Sequence, residues 1–207
     1  MSILSTRRAA ILLIPAALLL SSCGGGSNTP AAPSPAPPSS PTKLAYVNSP
    51  SGTSSTWRAE VDPATNETGT VILKVFGPTG LQVQGATVFL TCSTRAVWAM
   101  PAGATDPYAA KGSALDLTTQ GPNPAIQLFK SKLSTSATDL QVGAYQKQGS
   151  VTLGAANPLF SVALALKPRS TAGKAALNPT AGKSCIYLDA AGVEHTFTLI
   201  LGELTLK

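Results

Sequence analysis

From Leu44 to Leu206 the chain runs as short alternations of apolar and polar residues, cut by Gly, Pro, Asn and Asp. Val71, Leu73 and Val75 alternate with Ile72, Lys74 and Phe76, and Val88 and Leu90 alternate with Thr87, Phe89 and Thr91. A period of two puts one set of side chains on one face of a strand. Val162, Leu164 and Leu166 repeat the pattern, with small Ala163 and Ala165 between them. Strands are predicted near Leu44–Val47, Thr56–Val61, Thr70–Phe76, Ala86–Cys92, Ser113–Leu117, Ala125–Leu128 and Leu140–Tyr145. Further strands are predicted near Val151–Leu153, Phe160–Leu166, Ser184–Leu188, His195–Ile200 and Glu203–Leu206. Helical spacing of apolar residues is nowhere sustained, and Pro101 and Pro107 oppose a helix between Ala102 and Lys111. Many short strands predict an all-β domain built as a β-sandwich.

The first 42 residues follow a different rule. Arg7 and Arg8 precede an apolar run from Ala9 to Leu20. That is the layout of a secretory signal, and it is too short to span a bilayer. Leu20-Ser21-Ser22-Cys23 resembles the lipobox of bacterial lipoproteins. The resemblance implies cleavage before Cys23, a diacylglyceryl thioether on its sulfur and acylation of its amine. The alternative is an ordinary secretory signal with an unrelated Cys. Multiple acyl chains make a stable anchor where one does not. In such lipoproteins an Asp after the Cys favours retention in the inner membrane. Gly24 stands there, which points to the outer membrane of a cell that has one.

Residues 24–42, GGGSNTPAAPSPAPPSSPT, carry no large apolar side chain. They cannot bury enough surface to offset their ordering entropy. We read them as a disordered Pro/Gly/Ser spacer, about 50–60 Å long when extended. The expected organisation is therefore a removed signal peptide (1–22), a lipidated Cys23 with its linker (23–42), and one folded domain (43–207).

Three cysteines are present. If Cys23 carries lipid, Cys92 and Cys185 remain, an even pair in an oxidising compartment. A Cys92–Cys185 disulfide is expected. It would close a 93-residue separation (185 − 92), worth about 4–5 kcal/mol in the chain-entropy model. Two buried free thiols are the alternative. The formal charge of +6 falls to +4 once Arg7 and Arg8 are removed, leaving 13 basic against 9 acidic residues. That balance favours an anionic partner, such as lipopolysaccharide, an acidic glycan or an acidic protein. The cations are scattered and not interleaved with aromatics, so nucleic acid is not an expected partner.

Residues 69–92, GTVILKVFGPTGLQVQGATVFLTC, resemble the central hairpin of bacterial immunoglobulin-like domains. Val83, Gly85, Ala86, Thr87, Val88 and Leu90 match its second strand, and Pro78 and Gly80 supply the turn. Gly85 would permit a bend or bulge. The resemblance implies an immunoglobulin-like, Greek-key sandwich and no particular chemistry. Thr-Ala-Gly-Lys occurs at 171–174 and again at 180–183. We read 168–184 as a basic, mobile loop in which Arg169, Lys174 and Lys183 would meet an anionic partner.

Catalytic motifs are not found. Gly182-Lys183-Ser184 fails as a phosphate loop because Leu177 occupies the place of its first Gly. No Gly-x-Ser-x-Gly elbow occurs, and nothing singles out a pair among the nine acids. His195 is the lone histidine. It is either an edge-strand imidazole or a metal ligand, helped by Glu194, Asp189, Met100 or backbone atoms. In compartment, size and single disulfide the chain is also similar to envelope-tethered copper-only superoxide dismutases, but it lacks their several His ligands.

Three readings follow. The first is a lipid-anchored envelope protein serving as an accessory or interaction subunit of a surface-layer or porin-type assembly, with no cofactor. The second is a copper-dependent superoxide dismutase using His195 and Glu194. The third is a glycan-binding module in which Trp57, Trp98 and Tyr108 stack on sugar rings, although core burial of both Trp is the commoner role.

Overall fold

A computed structural model of the protein describes residues 40–104, 106–117, 128–146 and 149–207. All belong to one compact unit, Pro37–Lys207. The first strands are β1 (Leu44–Val47), β2 (Arg58–Val61), β3 (Thr70–Phe76), β4 (Gln82–Cys92) and β5 (Ala96–Ala99). Next come β6 (Ala109–Lys111), β7 (Phe129–Leu133), β8 (Asp139–Tyr145), β9 (Val151–Thr152) and β10 (Phe160–Leu166). The last are β11 (Gly173–Ala175), β12 (Leu177–Pro179), β13 (Cys185–Asp189), β14 (Glu194–Phe197) and β15 (Glu203–Leu206). The described residues contain no helix.

The strands form two antiparallel layers. One is a seven-stranded sheet in the order β14-β13-β4-β8-β7, with β9 and β12 also paired to β4. The other is a five-stranded sheet in the order β2-β3-β10-β5, with β6 on β10. A three-stranded sheet, β1-β15-β11, adjoins the second layer. There the Ile200 N–H donates to the Trp57 carbonyl at 2.8 Å, and the Ala59 N–H donates to the Ile200 carbonyl at 3.0 Å. The alternating apolar sets meet in a single core. Val71, Leu73 and Val75 of β3 and Val162 and Leu164 of β10 are fully buried. Ala86, Val88 and Leu90 of β4 and Leu140, Val142 and Ala144 of β8 are buried with them. This is the expected all-β sandwich.

The stretch read as a hairpin is not one. β3 pairs with β2 and β10, whereas β4 pairs with β8, β13, β9 and β12. Residues 77–81 carry the chain from one layer to the other, turning at Gly80 (φ 85°) with the Leu81 N–H on the Pro78 carbonyl at 3.2 Å. The physical reason lies in the matching patterns. Both strands bury an apolar face, and the two faces enter one core from different sheets, so the strands need not lie side by side. The bend at Gly85 is present: Leu188 pairs with Gly85 and Asp189 with Val83, so Gln84 is the extra residue of a bulge.

The expected Cys92–Cys185 cross-link is not formed, and both residues are buried free thiols. Strands β4 and β13 are neighbours, and Ile186 pairs with Thr87. That register sets Cys185 beside Val88, four residues short of Cys92, or about 13 Å along the strand. A disulfide needs Cα atoms within about 7 Å. Cys92 faces Leu177 instead. Burial pushes the Cys92 thiol up to about 11 and raises Cys185 as well, so neither is a ready thiolate. In the native full chain neither residue should be alkylated by iodoacetamide. Both should be alkylated in denaturant without reductant. Blocked sulfur at both positions under those conditions would restore the cross-link.

Two other expectations shift. The loop read over 168–184 contains β11 and β12, which pair with β15 and β4 in different sheets. Ser113–Leu117 is not a strand; β6 precedes it at Ala109–Lys111. Most of Ala125–Leu128 lies outside the described residues, and the strand there is β7 at Phe129–Leu133.

Candidate functional site

His195 belongs to a clasp that closes the β13–β14 hairpin. One Asp189 carboxylate oxygen accepts the N–H groups of Ala191 and Val193, each at 2.9 Å. The other lies 2.8 Å from His195 Nε2. The Tyr187 ring stacks on the imidazole at 5.0 Å, and Phe197 stacks on Trp57 at 4.0 Å. The alternation of β14 sends Glu194 to the opposite face from His195, where it pairs with Leu188. The two residues read as copper ligands therefore do not converge, and Nε2 is already committed to Asp189. Among the described residues no group of three His, Cys, Asp or Glu side chains comes together. Among the described residues a single imidazole held by Asp189 is a donor set that does not fit a copper centre.

The His195 hydrogen bond, then the turn N–H groups, hold the Asp189 carboxyl below the usual carboxylate range. A depressed carboxylate pKa contributes stability above the unfolded value, near 4, and loses it as pH falls through the folded value. Asp189→Asn should therefore melt lower than the wild type above about pH 4, with the gap closing below it. Thermal unfolding at pH 6 and pH 3 checks this. An equal gap at both would remove the clasp.

The three cations read as one loop are held apart. Lys174 bonds Glu203 at 2.6 Å. Arg169 is exposed in a turn at φ 63°. The Lys183 ammonium sits 5.4 Å from the centre of the Phe89 ring on the outer face of β4. Trp57 and Trp98 are each only 6% exposed and belong to the core, and the Trp98 indole N–H donates to the Thr138 carbonyl at 2.8 Å. Tyr108 is half-buried against the same core. The two Trp residues read as glycan-stacking are thus structural.

The surface that does gather functional groups is the outer face of the seven-stranded sheet. Because Leu140, Val142 and Ala144 point inward, Asp139, Gln141, Gly143 and Tyr145 of β8 point outward. Lys130 pairs with Gly143 and Lys132 with Gln141 on one side. Thr87 and Phe89 of β4 face the same two residues on the other. Two shallow depressions, about 290 Å³ and 210 Å³, share Lys132 and Gln141 and so form one trough along β8. The six residue steps from Tyr145 to Asp139 give it a length of about 20 Å.

The floor of the trough is low because Gly143 has no side chain, and the Tyr145 ring lies over Gly85. A Cβ on Gly85 would sit 2.4 Å from Tyr145 Cδ1. The Tyr145 hydroxyl bonds the Thr87 hydroxyl at 2.8 Å. Burial, opposed by Thr87 and assisted by the Glu194 charge, raises the Tyr145 pKa, so the phenol stays protonated. Lys130, Lys132 and Lys183 make no ion pair among the described residues. Of these groups, sequence reading singled out only Lys183. The signal that could have found the rest is the alternation Phe129-Lys130-Ser131-Lys132-Leu133, which sets two lysines on one face of an edge strand.

No family model matches the chain, and no curated protein matches it. Among solved structures it is similar to a chain of Coh-OlpA–Doc918, a type I cohesin–dockerin complex from Clostridium thermocellum. The identity is 12%, the TM-score 0.42, and the match covers 78% of this chain and 97% of that one. It is likewise similar to a type II cohesin domain from the cellulosome of Acetivibrio cellulolyticus. There the identity is 10%, the TM-score 0.42, and coverage is 72% and 93%. Superpositions this loose carry no argument about partner or activity.

Proposed function

We propose that this chain is a lipid-anchored cell-envelope protein whose β-sandwich serves as an accessory or interaction subunit of a surface assembly of surface-layer or porin type. The observation that carries the interaction reading is the trough along β8, where lysines that make no ion pair among the described residues, two aromatic rings and several hydroxyl and amide groups gather. Anchoring rests on the lipobox-like Leu20-Ser21-Ser22-Cys23, with Gly24 favouring the outer membrane, and on the spacer of residues 24–42. The chain enters the sandwich beside its last residue, where the Thr42 and Lys43 N–H groups donate to the Lys207 carbonyl at 2.8 and 3.0 Å. That point lies at β1, not on a strand that carries the trough.

The test is to extract envelopes with mild detergent and measure the native size and composition of the particle that holds the full chain. The expected result is a defined complex larger than the monomer, which Lys130→Ala/Lys132→Ala disperses. Cys23→Ala should move the chain from the detergent phase to the aqueous phase. A free monomer in the wild-type extract would overturn the interaction reading. Detergent partitioning unchanged by Cys23→Ala would overturn the anchor.

A further inference from the structure

We infer that the trough along β8 binds an acidic polysaccharide, a polymer whose sugar rings bear carboxylates. This deepens the interaction reading above and rests on it. The first argument is the backbone. Strand β8, the floor of the trough, is paired on both sides, with β4 and with β7, so its N–H and C=O groups are spent in the ladder. A peptide that binds by strand addition needs a free edge, and the trough floor offers none. Its ligand must instead satisfy polar groups with side chains. Lys130, Lys132, Gln141, Ser134 and Thr180 supply ammonium, amide and hydroxyl groups, the donors and acceptors that sugar hydroxyls and carboxylates require.

The second argument is shape. The trough is long and shallow rather than a closed pocket. At about 20 Å it is suited to several units of an extended chain. The Phe89 ring, with the Lys183 ammonium over it, and the Tyr145 ring line the trough at separate points. The third argument is charge. Lys132 and Lys183 line the same depression, and Lys130 lines the next. Two carboxylates lie near. Asp139 accepts a hydrogen bond from the Thr91 hydroxyl at 2.7 Å, and Glu194 is close enough to raise the Tyr145 pKa. Three ammonium groups outnumber them. Single exposed ion pairs are weak, so affinity here depends on a ligand that repeats its charge along its length, as a polyuronate does.

The experiment uses the full chain in detergent, run in native gels containing alginate, dextran or poly-glutamate, with dissociation constants measured on alginate oligomers. Retardation is expected in alginate alone, weakening as salt rises because the contacts are exposed charges. Lys130→Ala/Lys132→Ala should weaken alginate binding at least tenfold, and Lys183→Ala several-fold. Lys174→Ala, ion-paired to Glu203 away from the trough, should leave it unchanged. All variants should melt as the wild type does.

Equal retardation in dextran, or alginate binding that ignores the trough lysines, would overturn the inference. Binding of poly-glutamate as tight as that of alginate and lost in the same variants would also overturn it, making the occupant an acidic protein while keeping the docking face. If no polymer binds yet the lysine variants disperse the native particle, the polysaccharide falls and the interaction reading survives. If neither responds, both fall.

Discussion

Gly85→Ala should cost the sandwich more than about 3 kcal/mol, the range in which a small domain loses most of its stability. Gly85 sits where β4 bulges and where it meets β8, paired directly with Tyr145. A Cβ there would stand 2.3 Å from the Ala144 carbonyl oxygen, 2.4 Å from Tyr145 Cδ1 and 2.5 Å from Tyr145 Cα. Two of those three atoms are backbone, so relief requires β8 to move away from β4, at the centre of the larger sheet. Overpacking of this kind costs more than the usual 1–3 kcal/mol because no flexible side chain can yield. The comparison is Gly69→Ala. Nothing lies within 4 Å of that Cβ, so the change should be neutral or stabilising by up to about 1 kcal/mol through the unfolded chain. Urea unfolding of the two variants decides it. A Gly85→Ala midpoint near the wild type would mean that the bulge is plastic.

Arg58→Ala is expected to cost about 2–4 kcal/mol, and Arg58→Met less than about 1 kcal/mol. Arg58 is only 4% exposed. Its Nε donates to Glu60 and its Nη2 to the Ala155 carbonyl at 3.3 Å, while Nη1 is buried without a partner among the described residues. The guanidinium carbon lies 4.8 Å from the centre of the Phe76 ring. Truncation removes the stem that fills this space and leaves a void beneath Ala155. Met keeps the volume and deletes the orphaned donor, whose desolvation the native fold must offset. Glu60, a third exposed, remains hydrated in either variant. Equal losses for Ala and Met would show that the hydrogen bonds, and not the packing, hold this corner.

These two sites show how unevenly the sequence discloses the fold. Thr70–Phe76, Phe160–Leu166, Leu44–Val47 and Glu203–Leu206 end where the alternation of their residues says they should. Alternation is local, and it registers each side chain's choice between core and solvent. Strands β5, β11 and β12 were not legible. GKA and LNP carry little β preference of their own, and AVWA has it at Val97 and Trp98 over only four residues; all three are strands because β10, β15 and β4 offer them an edge. The end of the sequence-predicted strand at Leu128 left Lys130 and Lys132 outside any element. That concealed one wall of the trough.

The residues taken one by one determined that the domain is all-β, with a core drawn from its alternating Val and Leu positions, and the proposed anchor at Cys23 also rests on sequence alone. Tertiary structure alone decided that β3 and β4 join different sheets rather than pair, that Cys92 and Cys185 stand four residues out of register, and that His195 and Glu194 point apart. It also decided that side chains from β7, β8 and β4 with Lys183 line one trough. The reason is physical. A period of two assigns each side chain to a face, but the backbone hydrogen bonds that join strands are the same for every sequence. Which strands become neighbours, and in what register, follows from how whole faces fit together in the core.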